Sequence, residues 1–300
     1  MNQSLNLNVY FLIYRRIKST NKIKNFVKSY EVMAHFEITN EYFMDNSISD
    51  ITTYLINNNI TKLFFRYGFN PDKLEFMLLN IPESIKTIYF IGYEYKIYKL
   101  VSNFIKITKI RKIGFVNIVE DDNDNVNEFS DILDLIADNK YIKKICFTRN
   151  IDYQPHFDKL FNIKSLESIY LSLEDNYVTF INNLINNKNL IKLTLHDATT
   201  SLILEIAFAL IFNKTLKYLK INTKLEFYEL FVISKMLDIN KSLLEIKYDR
   251  YPKTDELHND VQQKLARNKQ LLADIIDNRT RVIFYIPEMM EFYQKVPILH

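Results

Sequence analysis

Residues 186–195 (NNKNLIKLTL), 212–221 (FNKTLKYLKI) and 239–248 (INKSLLEIKY) repeat one pattern. Each segment has an apolar residue, two mostly polar residues, a second apolar residue, one variable residue and a third apolar residue. The end of the pattern alternates with the period of a β-strand, in which successive side chains point to opposite faces. We therefore expect a short strand in each segment, with the second and third apolar side chains pointing into a core.

The pattern occurs eight times between residues 51 and 250. Its first apolar residues, the anchors, are Ile60, Ile85, Ile110, Ile142, Leu166, Leu190, Leu216 and Leu243, with separations of 25, 25, 32, 24, 24, 26 and 27 residues. Between the copies, apolar residues recur at helical spacing, as at Phe129, Ile132, Leu133 and Ile136. A repeat of this length that alternates strand and helix predicts an α/β solenoid, in which each repeat packs on its neighbours.

A doubly wound parallel sheet would also alternate strands and helices. That fold needs Gly at its tight turns, and Gly68, Gly92 and Gly114 are the chain's three glycines. The solenoid is therefore the favoured architecture.

Asparagine comes shortly before the anchor in several copies, at Asn59, Asn139, Asn189, Asn213 and Asn240. Asn tolerates left-handed backbone angles better than most residues do. We expect these asparagines at helix ends.

The copies from Ile142 to Tyr248 resemble the longer, helix-containing class of leucine-rich repeats typified by ribonuclease inhibitor. Residues 63–71 (LFFRYGFNP) and 81–90 (IPESIKTIYF) resemble FNIP repeats, although Phe69 and Asn70 are followed by Pro71 without the Ile of that family's tetrapeptide. The resemblance implies a horseshoe with a parallel concave sheet and convex helices. It also implies a non-enzymatic binding scaffold.

Three segments follow from this interpretation. Residues 1–50 are expected to form an N-terminal helical cap, residues 51–250 the solenoid, and residues 251–300 a C-terminal cap and tail, because terminal repeats need covering. Some proteins with FNIP repeats carry an F-box before them, so a substrate-recognition adaptor of a ubiquitin ligase is an alternative. We cannot trace an F-box in residues 1–50.

The sequence predicts no catalytic residue, metal site or cofactor. Three glycines cannot build a phosphate-binding loop, and the five histidines are scattered. Cys146 falls at an outward strand position, where it is expected to be accessible. An enzyme with an unrecognised site is the less favoured alternative.

Charge and cysteine content bear on partners and location. The net charge of +3 gives no whole-molecule attraction for nucleic acid or an acidic membrane, so any basic surface must be local. A single cysteine suits a reducing compartment, and no apolar run is long enough to span a membrane. We expect an intracellular, cytoplasmic protein.

The outward strand positions define a candidate binding surface on the concave face. Of its 24 positions, seven are Lys or Arg and two are Asp or Glu. The residues predicted to bind a partner are Lys62, Phe64, Tyr89, Lys112, Lys144, Tyr170, Lys192, Tyr218, Lys220 and Lys247. Such a surface suits an acidic protein segment. Alternatively, the lysines only keep the sheet soluble. Nucleic acid is a less favoured partner, because the basic residues form a single stripe and the net charge of the chain is only +3.

Overall fold

The computed structural model describes residues 35–38, 47–66, 71–93, 97–116, 126–148, 156–173, 177–251 and 254–294. All of them belong to one compact unit, Ala34–His300. The predicted N-terminal cap falls largely outside the described residues.

Nine strands and nine helices alternate along the described chain. In order they are β1 His35–Ile38, α1 Ile48–Asn57, β2 Lys62–Arg66, α2 Pro71–Leu79, β3 Thr87–Ile91, α3 Ile97–Ile107, β4 Lys112–Val116, α4 Val126–Asp138, β5 Lys144–Thr148, α5 Phe157–Asn162, β6 Ser168–Ser172, α6 Val178–Asn186, β7 Lys192–His196, α7 Thr200–Phe212, β8 Tyr218–Leu225, α8 Phe227–Ile239, β9 Glu245–Arg250 and α9 Asp255–Gln294.

The strands form one open parallel sheet in which each strand pairs with the next along the chain, from β1 to β9. Leu193, Leu219 and Ile246 are register partners on adjacent strands, as the repeat pattern predicts. The chain is therefore an α/β solenoid.

Strand β1 is an addition to the sequence prediction, which placed a helical cap over residues 1–50. It pairs in parallel with β2, and Phe36 and Ile38 are in register with Leu63 and Phe65. Residues 33–38 (MAHFEI) follow the same apolar pattern as the eight copies. The described repeat array therefore includes one unit before the eight predicted copies.

The predicted inward residues form the core. All eight anchors are buried, and each inward pair is buried except at Tyr248, which is partly exposed. In the first four copies the third apolar residue is Phe, and these rings stack in sequence with centroid distances of 5.7, 5.6 and 5.7 Å, from Phe65 through Phe90 and Phe115 to Phe147. Burial of this apolar surface is the main favourable term for folding.

Asparagine side chains join successive repeats by hydrogen bonds. The Nδ2 of Asn213 donates to the carbonyl oxygens of Leu184 (2.7 Å) and Asn187 (3.1 Å) in the preceding repeat. Its Oδ1 accepts from the backbone amides of Thr215 and Leu216. The same arrangement recurs at Asn139 and Asn240, and in part at Asn187. We call these four residues the asparagine ladder.

The asparagines follow the helices as predicted, but most of them do so for a reason other than left-handed backbone angles. Of the five residues that the sequence analysis named, only Asn59 has a positive φ, at 51°. Asn213 and Asn240 have φ of −70° and −76° and serve through their side-chain amides. In the repeat of strand β7 the ladder residue is Asn187, three positions before the anchor Leu190, and not Asn189.

Helix α9 closes the described end of the ladder. The Nδ2 of Asn268 donates to the carbonyls of Asn240 (3.0 Å) and Leu243 (2.8 Å). Its Oδ1 accepts from the guanidinium of Arg267, because the helix continues past Asn268 and no loop amides are available there. Farther along, Leu271 and Ile276 are exposed, so this part of the helix does not cover the last repeat.

Replacing Asn240 by Ala should lower the free energy of unfolding by about 2 to 4 kcal/mol, because buried carbonyl and amide groups lose their partners. Asn189→Ala, outside the ladder, should cost less than about 0.5 kcal/mol. Urea unfolding followed by circular dichroism measures both values. Equal losses in the two variants would contradict the structural role of the ladder.

Candidate functional site

The strand register gathers the predicted binding residues on the face of the sheet opposite the helices, which we call the open sheet face. One column runs through Lys62, Thr87, Lys112, Lys144, Ser168, Lys192, Tyr218 and Glu245, and the central column runs through Phe64, Tyr89, Gly114, Cys146, Tyr170, Thr194, Lys220 and Lys247. The third predicted column, which is interrupted, consists of Arg66, Ile91, Val116, Thr148, Ser172, His196, Asn222 and Asp249. A register shift pairs Asp249 with Lys224 and not with Asn222.

The ten predicted residues differ in exposure. Those exposed to solvent are Lys144, Lys192, Tyr218, Lys220 and Lys247, and those partly exposed are Lys62, Phe64, Tyr89, Lys112 and Tyr170. Three members of the central column are buried between their neighbours: Gly114, Cys146 and Thr194. The accessible surface is therefore aromatic at one end and cationic toward the other.

An aromatic cluster covers β2 to β4. The rings of Phe64 and Tyr89 stack with centroids 4.9 Å apart and planes 4° from parallel. The Tyr89 ring extends over Gly114, where an added Cβ would lie 2.3 Å from its Cδ1. The Nζ of Lys112 lies 5.0 Å from the centroid of the same ring, a cation–π contact. Glycine at position 114 is what lets a large ring lie flat on the sheet.

Like charges on this face destabilise one another. Partial burial and the neighbouring Lys112 lower the pKa of Lys62, and burial lowers the pKa of Lys112. Burial and the charges of Lys144 and Lys247 lower the pKa of Lys192. A lowered lysine pKa means that the protonated form is disfavoured. An anion bound here would relieve that cost.

Internal partners already occupy part of the surface. The Nζ of Lys247 lies 2.9 Å from a carboxylate oxygen of Glu245. At β7, the Nδ1 of His196 lies 2.6 Å from a carboxylate oxygen of Asp197. Exposed positive charge that is not paired with a carboxylate is therefore greatest at Lys144, Lys192 and Lys220.

Cys146 is not accessible, contrary to the sequence prediction. Its side chain is 5% exposed, between Gly114 and Tyr170 on adjacent strands. Burial raises the pKa of its thiol to about 11. An outward strand position therefore does not ensure exposure to solvent.

Within the described part of the chain, no three His, Cys, Asp or Glu side chains are grouped so that they could hold a metal ion. The described helices also include none that is both long and apolar enough to cross a bilayer.

Gly114→Ala should lower the free energy of unfolding by about 1 to 2 kcal/mol, because the Tyr89 ring has to leave its place on the sheet. In a Tyr89→Ala background the same change should cost nothing, since Ala suits a strand at least as well as Gly. A double-mutant cycle of urea unfolding measures this coupling. An equal cost in both backgrounds would show that the ring does not depend on Gly114.

Cys146 should react with iodoacetamide at pH 8 at least about 100-fold more slowly in the folded protein than in urea, because burial blocks access and the thiolate is scarce at a raised pKa. Since the reacting form is the thiolate, the native rate should rise as the pH approaches 11. Mass spectrometry of the alkylated protein gives both rates. A native rate equal to that in urea would contradict the burial.

No family model and no curated protein matches the chain. Among solved structures, it is similar to actin-binding site 2 of leiomodin-1, with 17% identity and a TM-score of 0.33 over 62% of this chain and 96% of that one. It is also similar to the crystal structure of N-acetylneuraminate lyase from Mycoplasma synoviae, with 12% identity and a TM-score of 0.28 over 77% of this chain and 75% of that one. Both TM-scores are too low to carry an argument about function.

Proposed function

We propose that the chain is a protein-interaction scaffold that binds an acidic segment of a partner protein on the open sheet face. The observation that carries the proposal is that Lys144, Lys192 and Lys220, on β5, β7 and β8, lie on the same face of the sheet as the stacked Phe64 and Tyr89 on β2 and β3. Lysines supply charge attraction, and aromatic side chains supply most of the contact energy in many interfaces.

We propose further that the repeats are divergent leucine-rich repeats of the longer, helix-containing class. The support is the spacing of the buried anchors and inward pairs together with the parallel strand at each copy. The FNIP resemblance of residues 63–71 and 81–90 stays a prediction, because residues 67–70 lie outside the described ranges.

An acidic partner fits the energetics of the face better than a neutral one does. The lowered pKa of Lys192 has neighbouring lysines among its causes, so part of the cost is charge repulsion that an anion removes. Since these side chains are exposed or partly exposed, salt should weaken the attraction. The adaptor and enzyme alternatives stay predictions, and no arrangement among the described side chains favours either.

Charge reversal of three exposed lysines tests the proposal. A fluorescent peptide of about ten glutamates should bind the full chain at low salt and bind more weakly as salt is added. The variant K144E/K192E/K220E should bind it at least about tenfold more weakly, since each reversal turns an attraction into a repulsion. Fluorescence anisotropy gives the dissociation constants.

The matched control is K73E/K99E/K235E, which makes the same change of net charge on exposed positions of α2, α3 and α8. Its affinity for the peptide should change less than about threefold, because these positions lie on the helical side. Equal losses in the two variants, or no binding by the unaltered chain, would overturn the proposal. Circular dichroism and thermal unfolding confirm that each variant is folded.

A further inference from the structure

A second basic surface lies where the helices end. Eight loops connect a helix to the next strand: residues 58–61, 80–86, 108–111, 139–143, 163–167, 187–191, 213–217 and 240–244. Their cationic residues are Lys86, Lys109, Arg111, Lys140, Lys143, Lys164, Lys188, Lys214, Lys217 and Lys241, and their anionic residues are Glu83 and Glu167. We call these eight loops the basic edge.

Backbone hydrogen bonds hold these loops in line. The amide of Arg111 donates to the carbonyl of Lys86 (2.9 Å), and the amide of Lys143 donates to that of Arg111 (2.9 Å). The same bonds continue through residues 167, 191, 217 and 244. Because these bonds extend the sheet, successive loops follow at about the 4.8 Å spacing of strands. Four of the seven aligned positions are cationic, Lys86, Arg111, Lys143 and Lys217, and the one anion, Glu167, lies 3.6 Å from Lys143.

The asparagine ladder also presents lysines at this edge. Lys140, Lys188, Lys214 and Lys241 each follow a ladder asparagine directly, and all four are exposed. Since the ladder asparagine fixes the backbone of its loop on both sides, the next residue occupies the same place in each repeat. These four lysines, together with Lys86, Arg111, Lys143 and Lys217, give most repeats one or two cations at the edge.

Apolar side chains are exposed along the same edge. Ile107, Phe212 and Ile239 are the last residues of α3, α7 and α8 and are 63%, 53% and 55% exposed. Leu79, the last residue of α2, is 47% exposed and lines a shallow cleft with Ile107. A single exposed apolar side chain is ordinary, but several at the same edge can mark an interaction surface.

Helix capping explains only part of this pattern. Lys214 Nζ donates to the carbonyl of Ile211 at 2.5 Å, and Lys241 Nζ donates to that of Asp238, so these two lysines stabilise the C-terminal ends of α7 and α8. Arg111, Lys143 and Lys217 instead stand at the start of strands. Helix capping also gives no reason for exposed Phe212 and Ile239.

We infer that the basic edge binds the surface of an anionic lipid bilayer. Lysines attract acidic headgroups, and short apolar side chains between them enter the boundary between headgroups and acyl chains. Nucleic acid would also attract the lysines, but it offers stacking surfaces for aromatic residues and no apolar layer for Leu79, Ile107 and Ile239. The net charge of +3 does not oppose such binding, because the basic residues are concentrated at one edge.

Vesicle sedimentation tests the inference with the full chain. Vesicles of phosphatidylcholine with about 30% phosphatidylserine should bind the protein, and vesicles of phosphatidylcholine alone should not. The variant K188E/K214E/K241E should lose at least about tenfold in partitioning, since one lysine near an anionic surface contributes roughly fivefold. The control K73E/K99E/K224E makes the same charge change away from the edge and should lose less than about threefold.

A second variant separates lipid from nucleic acid. Phe212→Ser with Ile239→Ser removes exposed apolar groups and leaves the charges, so it should lower vesicle binding about tenfold and leave binding of a single-stranded oligonucleotide unchanged. Equal binding to neutral vesicles, equal losses in the control, or oligonucleotide binding without vesicle binding would each overturn the inference.

This inference and the proposed function fail independently. The sheet variant K144E/K192E/K220E should keep vesicle binding within about threefold, because its lysines lie on the strands and none of them belongs to the eight loops of the basic edge. The edge variant K188E/K214E/K241E should keep its affinity for the glutamate peptide within the same range. If either variant abolished both activities, the two surfaces would be one.

Discussion

Carbonyl groups at the end of each helix and in the loop that follows it impose the constraint on which this fold depends. A buried carbonyl without a donor costs free energy comparable to a lost hydrogen bond. In an isolated repeat these groups would face water, but stacking of the next repeat removes that water. The side-chain amide of Asn139, Asn213 or Asn240 replaces it, while its oxygen satisfies the loop amides of its own repeat. Polar and apolar contacts between repeats therefore form together.

The residue types of the apolar core vary more from repeat to repeat than those of the asparagine ladder. Stacked phenylalanines from Phe65 to Phe147 give way to Leu171, Leu195 and Ile221 at the same position of the repeat pattern, and all of these side chains are buried. Ile163 occupies the ladder position before Leu166, where it is buried. The repeat of strand β6 therefore lacks the ladder side chain.

The fold could be predicted from the sequence because each repeat carries its own apolar pattern, and the helical spacing between copies requires the successive strands to be parallel. Strand β1 was missed although residues 33–38 carry the same pattern, because a dense apolar segment before it suggested helices. The predicted columns on the open sheet face follow from register, whereas the flat placement of Tyr89 and the burial of Cys146 follow from the space above Gly114. That space depends on rotamers, which a single sequence does not specify. The function of the face stays a prediction.

Arg267 and Asn268 show how an array of this kind can stop. The side-chain amide of Asn268 still donates to a carbonyl of the repeat before it. Its oxygen, which in a ladder residue accepts from loop amides, accepts here from Arg267, and the backbone continues as helix. Four upstream repeats are joined to their neighbours by the same few bonds, through Asn139, Asn187, Asn213 and Asn240. Gene duplication could therefore lengthen or shorten the array by whole units, with the terminating pair carried along unchanged at the end.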